Sequence, residues 1–215
     1  MRVAGILLAA GDGSRLGQPK ALVTIAGQTL AERGVALLTE GGANPVLVVT
    51  GAAPVPMATL NTAYNLHTVY NPEWRSGMGS SLVAGLAALD AQSMPAGPGG
   101  DQTTQTRDEV GAAVIALADQ PLIGAEAVRR LISAFGDGAE VAVAAYGGKP
   151  RNPVLIARHL WPQVIDAAKG DAGARPFLRA HPDLVTLVEC GDTGSPDDID
   201  TEDDLARMRE MITEA

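Results

Sequence analysis

Arg15 and Lys20 stand five residues apart, behind the short run Ala9-Ala10-Gly11-Asp12-Gly13-Ser14 that follows an apolar segment. Small residues let backbone amides come close to anionic oxygens, and two cations add charge, so the segment has the make-up of a polyphosphate clamp. The two familiar phosphate loops fit it poorly. A dinucleotide fingerprint wants a third glycine where Leu16 stands, and an acidic residue at the end of the second strand, where Thr50 and Gly51 are found. A P-loop wants Gly-Lys followed by Ser or Thr, whereas Lys20 follows Pro19 and precedes Ala21. On these residues alone, a purely structural glycine turn at a strand exit stays open.

Other polar residues sit where chemistry and plain structure compete. Asp119 ends an apolar run and precedes Gln120-Pro121, a position suited to a ligand at a strand end and equally to a capping aspartate. Asp200-Thr201-Glu202-Asp203 is a good helix start, its carboxylates favoured by the helix dipole. Ser80 and Ser81 open a helix, where hydroxyls cap orphan amides. Asn152, Asp171 and Arg175 have the alternative of ordinary surface pairing. Asp197-Asp198 reads as solvated surface, and Lys20 as an exposed loop lysine. His67, His159 and His181 share no metal spacing, and Trp74 and Trp161 form no stacking platform, so none of them is assigned chemistry.

These residues need a scaffold, and the hydrophobic pattern supplies one. Strands are expected over 3 to 9, 45 to 51, 66 to 70, 110 to 118, 140 to 146, 154 to 157 and 184 to 188. Helices are expected from Thr29, where Thr29 and Glu32 have capping-box spacing, to Gly41-Gly42, then over 80 to 91, 126 to 135 and 175 to 180, with a closing helix after Asp200-Thr201. Strands alternating with helices predict an α/β fold: a three-layer αβα Rossmann-like arrangement around a mostly parallel sheet. In such sheets ligands gather at the carboxyl ends of strands, here the loops after residues 9, 50, 70 and 118. Residues 92 to 109 are rich in Pro, Gly, Thr and Gln and read as a mobile surface insertion in a single domain spanning 1 to 215. No internal repeat is visible.

Composition narrows the function classes. With 46% hydrophobic residues but only seven aromatic ones among 215, the core must be built from Ala, Val, Leu and Ile. A net charge of −9 excludes a general field for nucleic acid or an anionic membrane, while a local cluster of amides, cations and a metal ion could still hold a mononucleotide. Cys190 is the only cysteine, which rules out an internal disulfide and fits a reducing, cytoplasmic setting. The amino-terminal apolar run is too short to span a bilayer, is a weak match to a signal peptide, and reads as a first buried strand.

The segment L-A-A-G-x-G-x-R-L-G-x-P-K, residues 8 to 20, resembles the signature of the nucleotidyltransferases of the molybdenum-cofactor type, and most closely the molybdopterin cytidylyltransferases. The resemblance runs through Asn71 to Leu82, Leu117 to Pro121, Arg151 to Val154, Gly170 to Arg175 and Asp198 to Asp203. The insertion at 92 to 109 departs from the pattern, as does Asn152, where that branch more often has glycine. Ala10 stands where the guanylyl branch resembles L-A-G-G.

What this resemblance implies is an Mg-dependent transfer of CMP from CTP to the phosphate of molybdopterin cofactor, with release of pyrophosphate. Such a reaction needs positioning and charge neutralisation. Arg15 and Lys20 would hold the phosphates as catalytic residues. Leu8, Ala9, Ala10, Gly11, Gly13 and Gly51, with Gly79 and Ser80 near base and ribose, would bind the nucleotide. Asp119 and, more weakly, Asp200 would ligate Mg2+, which takes oxygen ligands and keeps several waters. Asn152, Asp171 and Arg175 would face the acceptor. Transient docking to a molybdoenzyme or its chaperone is compatible with such a role. The alternatives are a relative using GTP or a sugar-phosphate acceptor, a non-catalytic nucleotide-binding cofactor chaperone, and a nicotinamide or flavin oxidoreductase, the last disfavoured by the missing third glycine and ribose acid.

Overall fold

The computed structural model describes residues 1–56, 65–93 and 109–213; most of the expected 92 to 109 insertion lies outside the described residues. In chain order the elements are β1 (Arg2–Ala9), a two-residue pair β2 (Thr24–Ile25) and β3 (Gln28–Thr29), α1 (Leu30–Glu40), β4 (Val46–Thr50), β5 (Leu66–Tyr70) and α2 (Met78–Ser93). There follow β6 (Val110–Leu117), α3 (Ala125–Gly136), β7 (Val141–Tyr146), β8 (Lys149–Ala157), α4 (Trp161–Ala167), α5 (Arg175–Ala180), β9 (Val185–Glu189) and α6 (Glu202–Thr213). Among the described residues no helix is long and apolar enough to cross a membrane.

Seven strands form one sheet in the order β5-β4-β1-β6-β8-β7-β9. Pairings β1–β4, β1–β6, β4–β5 and β7–β9 are parallel, while β8 runs antiparallel to both β6 and β7. The sheet is thus mostly parallel, with β8 as the strand that the alternation of elements does not reveal. Its cause is local. Gly147 and Gly148 take φ of 59° and 73°, the two-residue turn that folds a chain directly back on itself. The same pattern begins β8 at Lys149, five residues before the run of apolar residues that signals it.

Alternation along β1 explains the layers. Val3, Leu7 and Ala9 join one core with Val35 and Leu38 of α1 and Val128 and Leu131 of α3. Ala4, Ile6 and Leu8 join another with Leu82 and Leu86 of α2 and Trp161 of α4. A central parallel strand buried on both faces carries small or apolar residues on both, as this one does from Val3 to Ala9. A third cluster, Leu16, Val23, Ile25, Leu30, Ile199, Leu205 and Met208, ties the segment after the glycine loop to α6.

The expected capping box is present: Glu32 N–H donates to Thr29 Oγ1 at 3.1 Å and Thr29 N–H to Glu32 Oε2 at 2.8 Å. Helix α2 begins at Met78, two residues before the serines expected to open it. Helix α4 and the β2–β3 hairpin have no counterpart in the sequence reading. From β1 the chain moves outward to β4 and β5, then returns to place β6 on β1's other side. That reversal opens a crevice between the carboxyl ends of β1 and β6.

Candidate active site

A cleft of about 580 Å³ occupies that crevice. One wall is the loop 8–15 with Lys20 and the end of β6 at Leu117 to Asp119; facing it are Trp74, Arg75, Gly77, Met78, Ser81 and Asp171. The loop is shaped by Gly13, whose φ is +62° and whose carbonyl accepts from Leu16 N–H at 2.8 Å. A methyl group there would lie 2.0 Å from the Gln18 carbonyl oxygen, so a side chain would break the turn. Asp12 Oδ1 accepts from Ser14 N–H at 3.1 Å. Among the described residues the N–H groups of Gly11, Asp12 and Gly13 have no acceptor, which leaves three successive donors at a strand end.

Lys20 is the centre of the charged constellation. Its Nζ donates to Asp119 Oδ2 at 2.7 Å and to Asp200 Oδ1 at 2.6 Å, and Arg15 reaches Asp200 Oδ1 at 2.9 Å. The Lys20 side chain is only 19% exposed, against 67% for Arg15, so Lys20 is not the exposed loop lysine its sequence context suggests. Burial pulls its pKa down, but the two carboxylates outweigh that and hold the ammonium above the usual lysine range. The Lys20 hydrogen bond keeps the Asp200 carboxyl below its usual range, with Arg15 adding to the effect. Asp198 is exposed as a residue, yet desolvation of its carboxyl, then the Asp119 charge, pushes it up, and Gln120 Nε2 donates to it at 2.7 Å. It is therefore held in place beside the site rather than loose on the surface.

Asp200 arrives from far along the chain. Residues 193–200 are fastened to 119–124 by Gly124 N–H to Thr193 O, Ser195 N–H to Leu122 O and Ile199 N–H to Asp119 O, and by Gln120 Nε2 to Pro196 O. On the opposite wall Asn71 is buried and does the fastening. Its N–H donates to Thr50 O at 2.8 Å, its Nδ2 to Ser80 Oγ at 2.9 Å and Ser81 Oγ at 3.0 Å, and its Oδ1 accepts from Glu73 N–H.

Of the residues singled out in the sequence, Leu8, Ala9, Ala10, Gly11, Gly13, Arg15, Lys20, Asp119 and Asp171 line the cleft. Asp200 joins them through Lys20 and Arg15. Gly51 lies behind the wall, where a methyl group would meet Trp74 Cβ at 2.6 Å and Ala10 Cβ at 2.8 Å. Gly79 packs against the backbone of Lys169. The Ser80 hydroxyl donates within its own loop, to the carbonyls of Glu73 and Gly77. Asn152, half-buried on β8, and Arg175, exposed at the start of α5, are not among the residues lining the cleft. The sequence reading gives Trp74 no stacking role and leaves out Arg75, yet both are on the cleft wall, with the Arg75 guanidinium stacked 4.3 Å from the Trp74 ring centroid. Their signal was available: Trp-Arg between Asn71-Pro72 and Gly77 in a loop at a strand end.

Asp119 and Asp200 present hard oxygen donors to one cationic point, the position of Lys20 Nζ. Among the described residues no three His, Cys, Asp or Glu side chains cluster as a metal cage. Two carboxylates fit a hard divalent ion that takes its other ligands from water and phosphate, and would not suffice for a structural zinc.

Comparison with known proteins gives the family and agrees with the fold. Residues 5–185 match the family model of the MobA-like NTP transferase domain. Nicotine blue oxidoreductase of Paenarthrobacter nicotinovorans is 36% identical over 214 residues, 96% of each chain. The structure resembles that of the homologue of Mycobacterium tuberculosis Rv0371c from Mycobacterium sp. strain JC1, with a TM-score of 0.72 and 27% identity over 100% of this chain and 99% of the other. A nucleotidyl transferase from Methanothermobacter thermautotrophicus shares the fold, with a TM-score of 0.73 at 20% identity over 99% and 98% of the two chains. By the match over residues 5–185 and the 36% identity over nearly the whole chain, this chain belongs to the MobA-like NTP transferase domain family.

Proposed function

We infer that the protein is a cytoplasmic cytidylyltransferase that moves CMP from CTP to the phosphate of molybdopterin cofactor. The observation that carries this reading is Lys20 bridging Asp119 and Asp200 beside three unused amides of the glycine loop. An acceptor phosphate oxygen attacks the α-phosphorus in line, a new P–O bond forms, and the α–β bridging bond breaks as pyrophosphate leaves with the electron pair. The amides of residues 11 to 13 hold phosphate oxygens, and Arg15 and Lys20 neutralise the charge that grows on the leaving group. Asp119 and Asp200 would hold Mg2+, which supplies further charge neutralisation at the phosphates. Lys20 is then a cation that exchanges carboxylate for phosphate partners. Ala10, in the place that distinguishes L-A-A-G from L-A-G-G, favours cytidine over guanosine.

A second reading, an oxidoreductase, is favoured by the full-length similarity to nicotine blue oxidoreductase. One panel separates the two. Melting temperature is measured with CTP, GTP, ATP, UTP and NAD, with and without magnesium, because a ligand bound only by the folded state stabilises it by mass action. A magnesium-enhanced shift selective for CTP, followed by CTP-dependent pyrophosphate release with molybdopterin, is expected. A GTP preference moves the reading to the guanylyl relative, and an NAD preference with no CTP effect overturns it in favour of the oxidoreductase.

A further inference from the structure

The cations of the cleft are not equivalent. Arg15 and Lys20 stand on the β1–β6 wall, and both are tied to carboxylates. Arg75 stands on the facing wall and, among the described residues, forms no ion pair. Asp171 lines the same cleft, its Oδ1 2.6 Å from the place a methyl group on Gly77 would take, and Arg75 forms no ion pair with it. Its guanidinium instead rests on Trp74, 4.3 Å from the ring centroid. Trp74 is a fixed support: its Cβ and Cγ pack against Gly51 beside Ala10, and Asn71 fastens its loop to the sheet. An arginine stacked on an anchored indole keeps its N–H fork in plane and free to bind an anion edge-on, having lost much of its rotamer freedom beforehand.

We propose that Arg75, positioned by Trp74, determines acceptor specificity by binding the phosphomonoester of the second substrate. The inference rests on the transferase reading, and deepens it by dividing the cations: Arg15 and Lys20 for the nucleoside triphosphate on one wall, Arg75 for the acceptor on the other. Two anionic substrates that must meet in line need cations on both sides of the reaction axis, and the β1–β6 wall supplies only one side.

The test uses the full chain and a matched pair of probes, 1-naphthyl phosphate and 1-naphthol, whose dissociation constants are measured by ligand-observed NMR. The wild type should prefer the phosphate ester by about tenfold or more, the size expected of a charge-assisted contact. Arg75→Ala should abolish that preference while leaving the CTP-induced melting shift intact. Arg75→Lys should keep part of it, and Trp74→Phe more than Trp74→Ala. The proposal is overturned by a wild type that does not prefer the ester, by a preference that survives Arg75→Ala, or by loss of the CTP shift in that variant, which would assign Arg75 to the nucleotide. Failure of the transferase reading looks different: the wild type then shows no nucleotide shift at all, while the probe pair still reports on Arg75.

Discussion

Replacing Lys20 by alanine takes the shared cation away from Asp119 and Asp200, so the effect reaches both turnover and stability. A charge that acts on the transition state is worth about 10²- to 10³-fold in kcat. Asp119 left without its cation, and Asp200 left with Arg15 alone, should add a measurable loss of folding stability, about 1–3 kcal/mol in a denaturant titration. Lys20→Ala combined with Asp119→Asn should recover part of that stability and none of the turnover; full stability in the single variant would contradict the bridged geometry. Away from the cleft, Arg130 donates to Asp192 at 2.7 and 2.8 Å, and that hydrogen bond draws the Asp192 carboxyl down to about 2. A folded-state pKa below the unfolded one means that the contribution is present above the ordinary aspartate pKa and lost as pH falls toward 2. Asp192→Asn should flatten the acid limb of the stability curve between about pH 4 and 2 and leave turnover at neutral pH unchanged, as a melting series across pH can show. The placing of Arg15, Lys20 and Asp119 at one cleft was legible because a glycine loop and strand ends mark them in the chain. Trp74 and Arg75 are marked in the chain only by their place in a strand-end loop, and their stacked arrangement depends on Gly51 and Asn71 packing behind them.

At the scale of elements, the pattern that predicts strands is apolar content, and it found β1, β4 and β6 because they are buried on both faces. For antiparallel β8 only the apolar end, 154 to 157, was legible; its start and its direction escaped because Lys149 to Asn152 are polar or exposed, and only Gly147-Gly148 announces the turn that aims it backward. Helix α4 escaped for the opposite reason. It has seven residues, too few to display a helical period, and its formation rests on tertiary packing. Trp161 at its start is 2% exposed, and its Nε1 donates to Ile156 O at 3.1 Å, which pins α4 to the end of β8. Trp161→Ala should cost about 3–5 kcal/mol in equilibrium unfolding, because it opens a large cavity and removes the bond to that carbonyl. Trp161→Phe should cost less; equal losses would mean that α4 docks through other contacts.

For the whole molecule, an overall charge of −9 repels the polyanionic substrates that the proposed reaction requires, so affinity must be local and magnesium-assisted. Magnesium–CTP at one hundred times its dissociation constant should stabilise the fold by about 2.7 kcal/mol, and chelation should remove most of that gain. A stabilisation unaffected by chelator would show that the two aspartates do not hold a metal. Fold class was legible because alternating strands and helices leave few arrangements, whereas the route of residues 193–200 back to β6 is a long-range pairing without a local signature. That route has a consequence for biosynthesis. Asp200 lies 180 residues beyond Lys20, and outside the matched family segment, which ends at residue 185. A ribosome that has already polymerised the whole matched segment carries a nascent chain with Lys20, Asp119 and the glycine loop, but not the second carboxylate. Stalled chains of increasing length should therefore acquire magnesium-dependent nucleotide binding in one late step, when translation has passed Asp200 and the crossing segment has emerged.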